Sequence, residues 1–163
     1  MGLIKALRSQ LVVLTVPANA PGTVFYFPDQ PQINRNGMVI DAIEAFCADD
    51  MTVTPSGVAV ITAAQMKTAY LTMYVNEPAN SAQGQGEQYN LIPLTSLHRI
   101  QSSATPFFVR DMLGLPGTRL DWSKTTISCG TSLGNASPVA FVLQVYYHKA
   151  IAGTNDSFKV RKR

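Results

Sequence analysis

Charge is what this chain has least of. Only 14 % of its 163 residues are Asp, Glu, Lys or Arg, against about 25 % in an average soluble domain. The 46 % hydrophobic content excludes a disordered chain and is enough for one domain with a real core. Cysteine is equally sparse. Cys47 and Cys129 are far apart and form no CxxC pair, which leaves no metal signature and little support for a disulfide; two buried free thiols are expected. Two histidines, His98 and His148, restrict any histidine-assisted catalysis to two positions. Long apolar runs are absent too. The best, Leu11 to Val16, is strand-sized and far short of the roughly 20 residues that span a bilayer as a helix. The opening stretch mimics a signal peptide, with Ala18-Asn19-Ala20 as its cleavage site, but its apolar portion is short and interrupted.

The positive charge that exists is concentrated at the ends. Lys5 and Arg8 lie in the first eight residues, and Lys159, Arg161, Lys162 and Arg163 close the chain. These are six of 13 basic residues; the other seven face nine acidic ones once Asp156 is set aside with the tail. A mildly acidic body with short basic ends can attach to a polyanion without a basic face of its own. These six residues are therefore the candidate contacts to nucleic acid or another polyanion. Phe158 and Val160 alternate with Lys159 and Arg161, a spacing that lets the tail add as a strand to a neighbour while its charges meet phosphate. A sequence of this kind divides into a basic arm (1–9), a β-sandwich domain (10–152) and a basic tail (153–163).

Strand signals dominate the body. Gln10 to Val16 is rich in β-branched residues and stops at Pro17; Thr23 to Phe27 stops at Pro28. Asn36-Gly37 is a tight-turn dipeptide, after which Met38 to Phe46 reads as strand or short helix. Val58 to Thr62 reads as strand, Ala63 to Thr68 as one helical turn, and Tyr70 to Val75 as strand again. Asn76 to Asn90 has no apolar periodicity and is expected to be a long exposed loop. Leu91 to Leu94, Pro106 to Met112, Arg119 to Cys129 and Pro138 to His148 supply further apolar runs. About eight strands with little helix between them predict an all-β antiparallel sandwich, most simply a single eight-stranded jelly roll with long loops.

Catalytic chemistry finds no footing in these residues. His98 and His148 lack a GxSxG or equivalent partner motif. Ser123 and Lys124 in Asp121-Trp122-Ser123-Lys124 are neighbours, and on a strand neighbours face opposite ways. The expectation is Trp122 inward as a core anchor, with Asp121 and Ser123 outward. The carboxylate pairs Asp41 with Glu44, and Asp49 with Asp50, lack a DxDxDG loop, so no metal is expected. Gln83-Gly84-Gln85-Gly86 lacks the Lys-Ser/Thr of a phosphate loop. Asn135-Ala136-Ser137 and Asn155-Asp156-Ser157 match the glycosylation sequon without an export signal to support it. No enzyme, cofactor or small-molecule substrate is predicted.

Val24-Phe25-Tyr26-Phe27-Pro28, Leu71-Thr72-Met73-Tyr74, Leu91-Ile92-Pro93-Leu94, Leu120-Asp121-Trp122-Ser123-Lys124 and Phe141-Val142-Leu143-Gln144-Val145-Tyr146-Tyr147 carry a resemblance in whole-chain organisation. The chain resembles the single jelly-roll virion proteins of small or tailless viruses, including bacteriophages. These segments share organisation and not a motif, so no family site residue is carried over. The resemblance implies a capsid shell, vertex or other virion subunit, made in the host cytoplasm and working by self-association. Its partners would be copies of itself and other virion proteins, with genome or internal-membrane phosphates as weak contacts, and its ends would become ordered against neighbours. The alternative is a β-sandwich binding module that recognises a glycan or receptor through Asn76 to Asn90 and Gly130 to Ser137.

Overall fold

The computed structural model describes residues 8–28, 30, 38–75, 87–98 and 121–149. Among these described residues, eight strands and two single-turn helices follow in the order β1 (Arg8–Val16), β2 (Val24–Tyr26), β3 (Met38–Phe46), β4 (Ala59–Val60), α1 (Ala63–Met66), β5 (Ala69–Val75), β6 (Glu87–Pro93), α2 (Leu94–Leu97), β7 (Thr126–Cys129) and β8 (Val139–Lys149). The fold is all-β, mostly antiparallel, and arranged in two sheets.

In the first sheet β8 lies at the centre, with β1 on one side and β3 on the other. Both neighbours run antiparallel to it, from Arg8↔Tyr147 to Val16↔Val139 and from Met38↔Lys149 to Phe46↔Val142. The short β4 pairs parallel with Val139 and Ala140, continuing the edge where β3 stops. The second sheet has the order β2-β7-β5-β6. An antiparallel strand of this kind shows alternate residues to opposite faces. Phe141 of β8 approaches Phe25 of β2, ring centres 6.5 Å apart, so Phe141, Leu143 and Val145 face the second sheet. With them Val12, Leu14, Val16, Ile43, Leu71, Met73 and Ile127 close the core between the sheets. Trp122 is fully buried and takes Phe27 edge-on at 5.3 Å.

By the same alternation Ala42, Glu44, Val142, Tyr146 and His148 occupy the other face of the first sheet. Glu44, at 1 % exposure, and His148, also at 1 %, are nevertheless buried there. A one-residue irregularity at Asp41, between the pairs Ile40↔Tyr147 and Ala42↔Tyr146, swings that carboxylate toward His148. Bulges re-aim a side chain in this way.

Several local predictions meet their structural outcome here. Met38–Phe46, open between helix and strand, is a strand. Arg8 and Ser9, counted with the basic arm, are strand residues opposite Tyr147 and Tyr146. The long loop expected over Asn76 to Asn90 gives way to β6 from Glu87, because Tyr89 pairs with Met73 and Ile92 with Leu71. A bulge between those pairs holds Leu91 at a φ of 55°, exposed. The run Arg119 to Cys129 is not one strand: β7 starts only at Thr126. Asp121 accepts the backbone N–H and the hydroxyl of Ser123, and Thr125 donates its hydroxyl to the Asp121 carbonyl. Such side-chain bonds to nearby backbone compete with the sheet ladder and make a turn. The Pro106–Met112 run lies outside the described residues.

Candidate functional site

β3 ends at Phe46, and the chain turns back immediately. Asp50 and Met51 donate their N–H groups to the Cys47 carbonyl, at 2.9 and 3.0 Å. The turn places Cys47 and Asp50 three residues apart in chain but side by side in space. The Asp50 Oδ2 accepts the Cys47 N–H at 3.0 Å and the Cys47 thiol at 3.4 Å. α2 then delivers a third group. Leu94 and Leu97 bury the inner side of this single turn, and the next residue, His98, forms an isolated bridge with Ala45 of β3. Its Nε2 lies 2.7 Å from Asp50 Oδ2 and 3.9 Å from Cys47 Sγ. The three donor atoms lie within 4.8 Å of one another. Cys47 is the buried floor, while the Asp50 and His98 side chains keep 23 % and 29 % of their surface, so the cluster opens to solvent.

The electrostatics of the cluster are asymmetric. Burial pushes the Cys47 thiol up, and the hydrogen bond to Asp50 and the charges of Asp50 and Asp49 push it the same way; a backbone hydrogen bond from Asp49 opposes them. Burial also acts to raise the Asp50 carboxyl. The Cys47 N–H, the His98 ring and the Cys47 thiol outweigh it, and the carboxyl lies below its ordinary range. An ionised carboxylate therefore sits beside a protonated thiol. This is not the geometry of a nucleophilic triad, in which the imidazole turns one nitrogen to the nucleophile and the other to the carboxylate. Here thiol and carboxylate meet the same nitrogen, as ligands round a common centre do.

A second histidine–carboxylate pair lies on β8 and β3. His148 Nδ1 is 2.6 Å from Asp41 Oδ2, and the Tyr146 hydroxyl donates to Glu44 at 3.3 Å. Asp41 and Glu44, paired in the sequence reading, are thus shared between two different residues of β8. These four groups tie β3 to β8 on the buried outer face of their sheet.

The remaining sequence candidates are separated. Ser123 donates its hydroxyl to Asp121, and Lys124 Nζ lies 4.4 Å above the Tyr74 ring and 4.0 Å from Asp121, so no Ser–Lys dyad forms. Asn135 is buried, and its Nδ2 donates to the Pro17 and Ser137 carbonyls, each at 2.9 Å. Its amide is committed to holding the β7–β8 connection against the end of β1 and is not presented for glycosylation. Cys129 is a free, buried thiol, as is Cys47. Arg8 is exposed at the start of β1, while Lys5, Lys159, Arg161, Lys162, Arg163 and the Gln83–Gly86 stretch lie outside the described residues. The Cys47–Asp50–His98 grouping escaped the sequence reading because His98 stands 48 residues from Asp50; the only local trace is the C-x-x-D spacing. No protein-family model, curated protein or solved structure matches this chain.

Proposed function

We propose that the chain is a self-assembling structural subunit of a virion, built as a single jelly roll. The observation that supports this reading is the strand order. A jelly roll folds a ribbon of nested antiparallel pairs into two sheets, so that first and last strands are neighbours in one sheet and second and penultimate strands are neighbours in the other. The orders β1-β8-β3 and β2-β7-β5-β6 follow that rule.

A jelly roll serves capsids and lectins alike, so the fold does not choose between them. Assembly is favoured by the surface. Charged side chains are scarce, and lysine and glutamate are the residues that contact surfaces exclude. The edge strand β2 exposes Val24 at 49 % and Tyr26 at 65 %, an apolar edge of the kind that symmetry-related copies cover. The basic ends then contact neighbouring subunits or the phosphates of the packaged interior.

The test is native mass by light scattering over a range of protein concentration and salt. Closed rings, trimers, pentamers or shells are expected. A strict monomer under every condition would overturn the reading and direct attention to glycan or receptor binding through the loops.

A further inference from the structure

We propose that Cys47, Asp50 and His98 form a binding site for a divalent transition-metal ion of the zinc class. Thiolate sulfur, imidazole nitrogen and carboxylate oxygen are the three ligand types that zinc takes, in tetrahedral geometry with one position left for water or a further donor. All three ligands come from one chain, so the site does not depend on self-assembly.

The distances fit a single ion. Bonds of about 2.3 Å to sulfur and about 2.0–2.1 Å to nitrogen and oxygen set ligand–ligand edges of roughly 3.3–3.6 Å in a tetrahedron. The Sγ···Oδ2 edge is 3.4 Å and the Sγ···Nε2 edge 3.9 Å. The Nε2···Oδ2 edge, 2.7 Å, is that of a hydrogen bond, and it opens by roughly 0.6–0.7 Å when a cation replaces the shared proton. Backbone and side chains are already arranged for this. Asp50 follows Cys47 at the two-residue spacing common between paired zinc ligands, in a turn fixed by two bonds to the Cys47 carbonyl.

Binding proceeds with a simple balance. The ion forms bonds to Cys47 Sγ, Asp50 Oδ2 and His98 Nε2; the thiol proton leaves to solvent, the proton between Nε2 and Oδ2 leaves so that the neutral ring keeps its proton on Nδ1, and no redox change occurs. The product links the end of β3, in the first sheet, to α2, which follows β6 of the second. The ion is thus a staple between the two sheets on the solvent-facing rim, with an open fourth position.

Cobalt(II) titration of the purified full-length protein tests the site, because a thiolate ligand gives an intense charge-transfer band and a tetrahedral site gives strong visible bands. A single equivalent is expected to produce both, and zinc to displace cobalt and raise the Tm. Cys47→Ser should abolish the charge-transfer band, while Cys129→Ser should keep it. His98→Ala and Asp50→Asn should weaken zinc binding by at least about 100-fold, since loss of even an outer-shell partner costs about 10–100-fold. Circular dichroism identifies any variant that does not fold, and the wild-type titration and the Cys129→Ser control then decide. No thiolate band in folded wild-type protein, or a band that disappears in Cys129→Ser and persists in Cys47→Ser, would overturn the assignment.

Discussion

Phe141 offers the sharpest check on the sandwich. It sits fully buried near the start of β8, opposite Leu14 of β1 and next to Val142, which pairs with the last residue of β3, and it reaches across to Phe25 of the second sheet. Phe141→Ala removes the ring from a strand held by two hydrogen-bonded neighbours, where the backbone has little freedom to collapse into the void. Truncations of this kind cost about 3–5 kcal/mol, and about 4 kcal/mol is expected here, a large share of the roughly 5–15 kcal/mol that stabilises a whole domain. With a urea m value of about 2 kcal/mol per molar, the midpoint falls by about 2 M. Trp122 is the only tryptophan and is fully buried, so its fluorescence reports unfolding directly. Measurement at low protein concentration separates folding from self-association. Tyr26→Ala, at an exposed position on β2, is the control and should cost about 0.5 kcal/mol or less. If Phe141→Ala were no more damaging than this control, the two sheets would not share a rigid core through β8.

Two further outcomes follow from local geometry. Thr62 caps α1 by accepting the Gln65 N–H at 3.1 Å, while the Gln65 side chain accepts the Thr62 N–H at 2.9 Å; Thr62→Ala should cost about 1 kcal/mol in the same urea assay and Thr62→Ser almost nothing. Stability should also fall at both ends of the pH range, measured with a chelator present. The depressed Asp50 carboxyl contributes stability that is complete above the unfolded value of about 3.9 and lost as pH falls through the folded one. The thiols of Cys47 and Cys129 are pushed up, in each case foremost by burial; their contribution is complete below about pH 8.5 and lost as pH rises through the folded values. Asp50→Asn should flatten the acid limb and Cys129→Ala part of the alkaline one; unchanged limbs would contradict these shifts.

β-branched and aromatic runs marked β1, β2, β5 and β8 in the sequence itself, the first two stopped by Pro17 and Pro28, because strand alternation and Pro punctuation are local properties. The helical turn read over Ala63 to Thr68 is present as α1, while its Thr62 cap comes from the structure. Asp121 shows where local reading ends: the apolar count across Trp122 suggested strand, while the bonds from Asp121 to its neighbours chose a turn. Glu87 to Pro93 lacked a strong periodicity, and β5 supplied the pairing that made it a strand.

Composition and alternation act residue by residue, and they already define an all-β, weakly charged domain with buried thiols. Strand neighbours and shared side-chain sites emerge from the folded sheets. Pairing of β1 with β8 joins residues more than a hundred positions apart, and His98 reaches Cys47 and Asp50 across about fifty. Contacts at such separation are set by how the sheets close over a common core, and no local pattern encodes them.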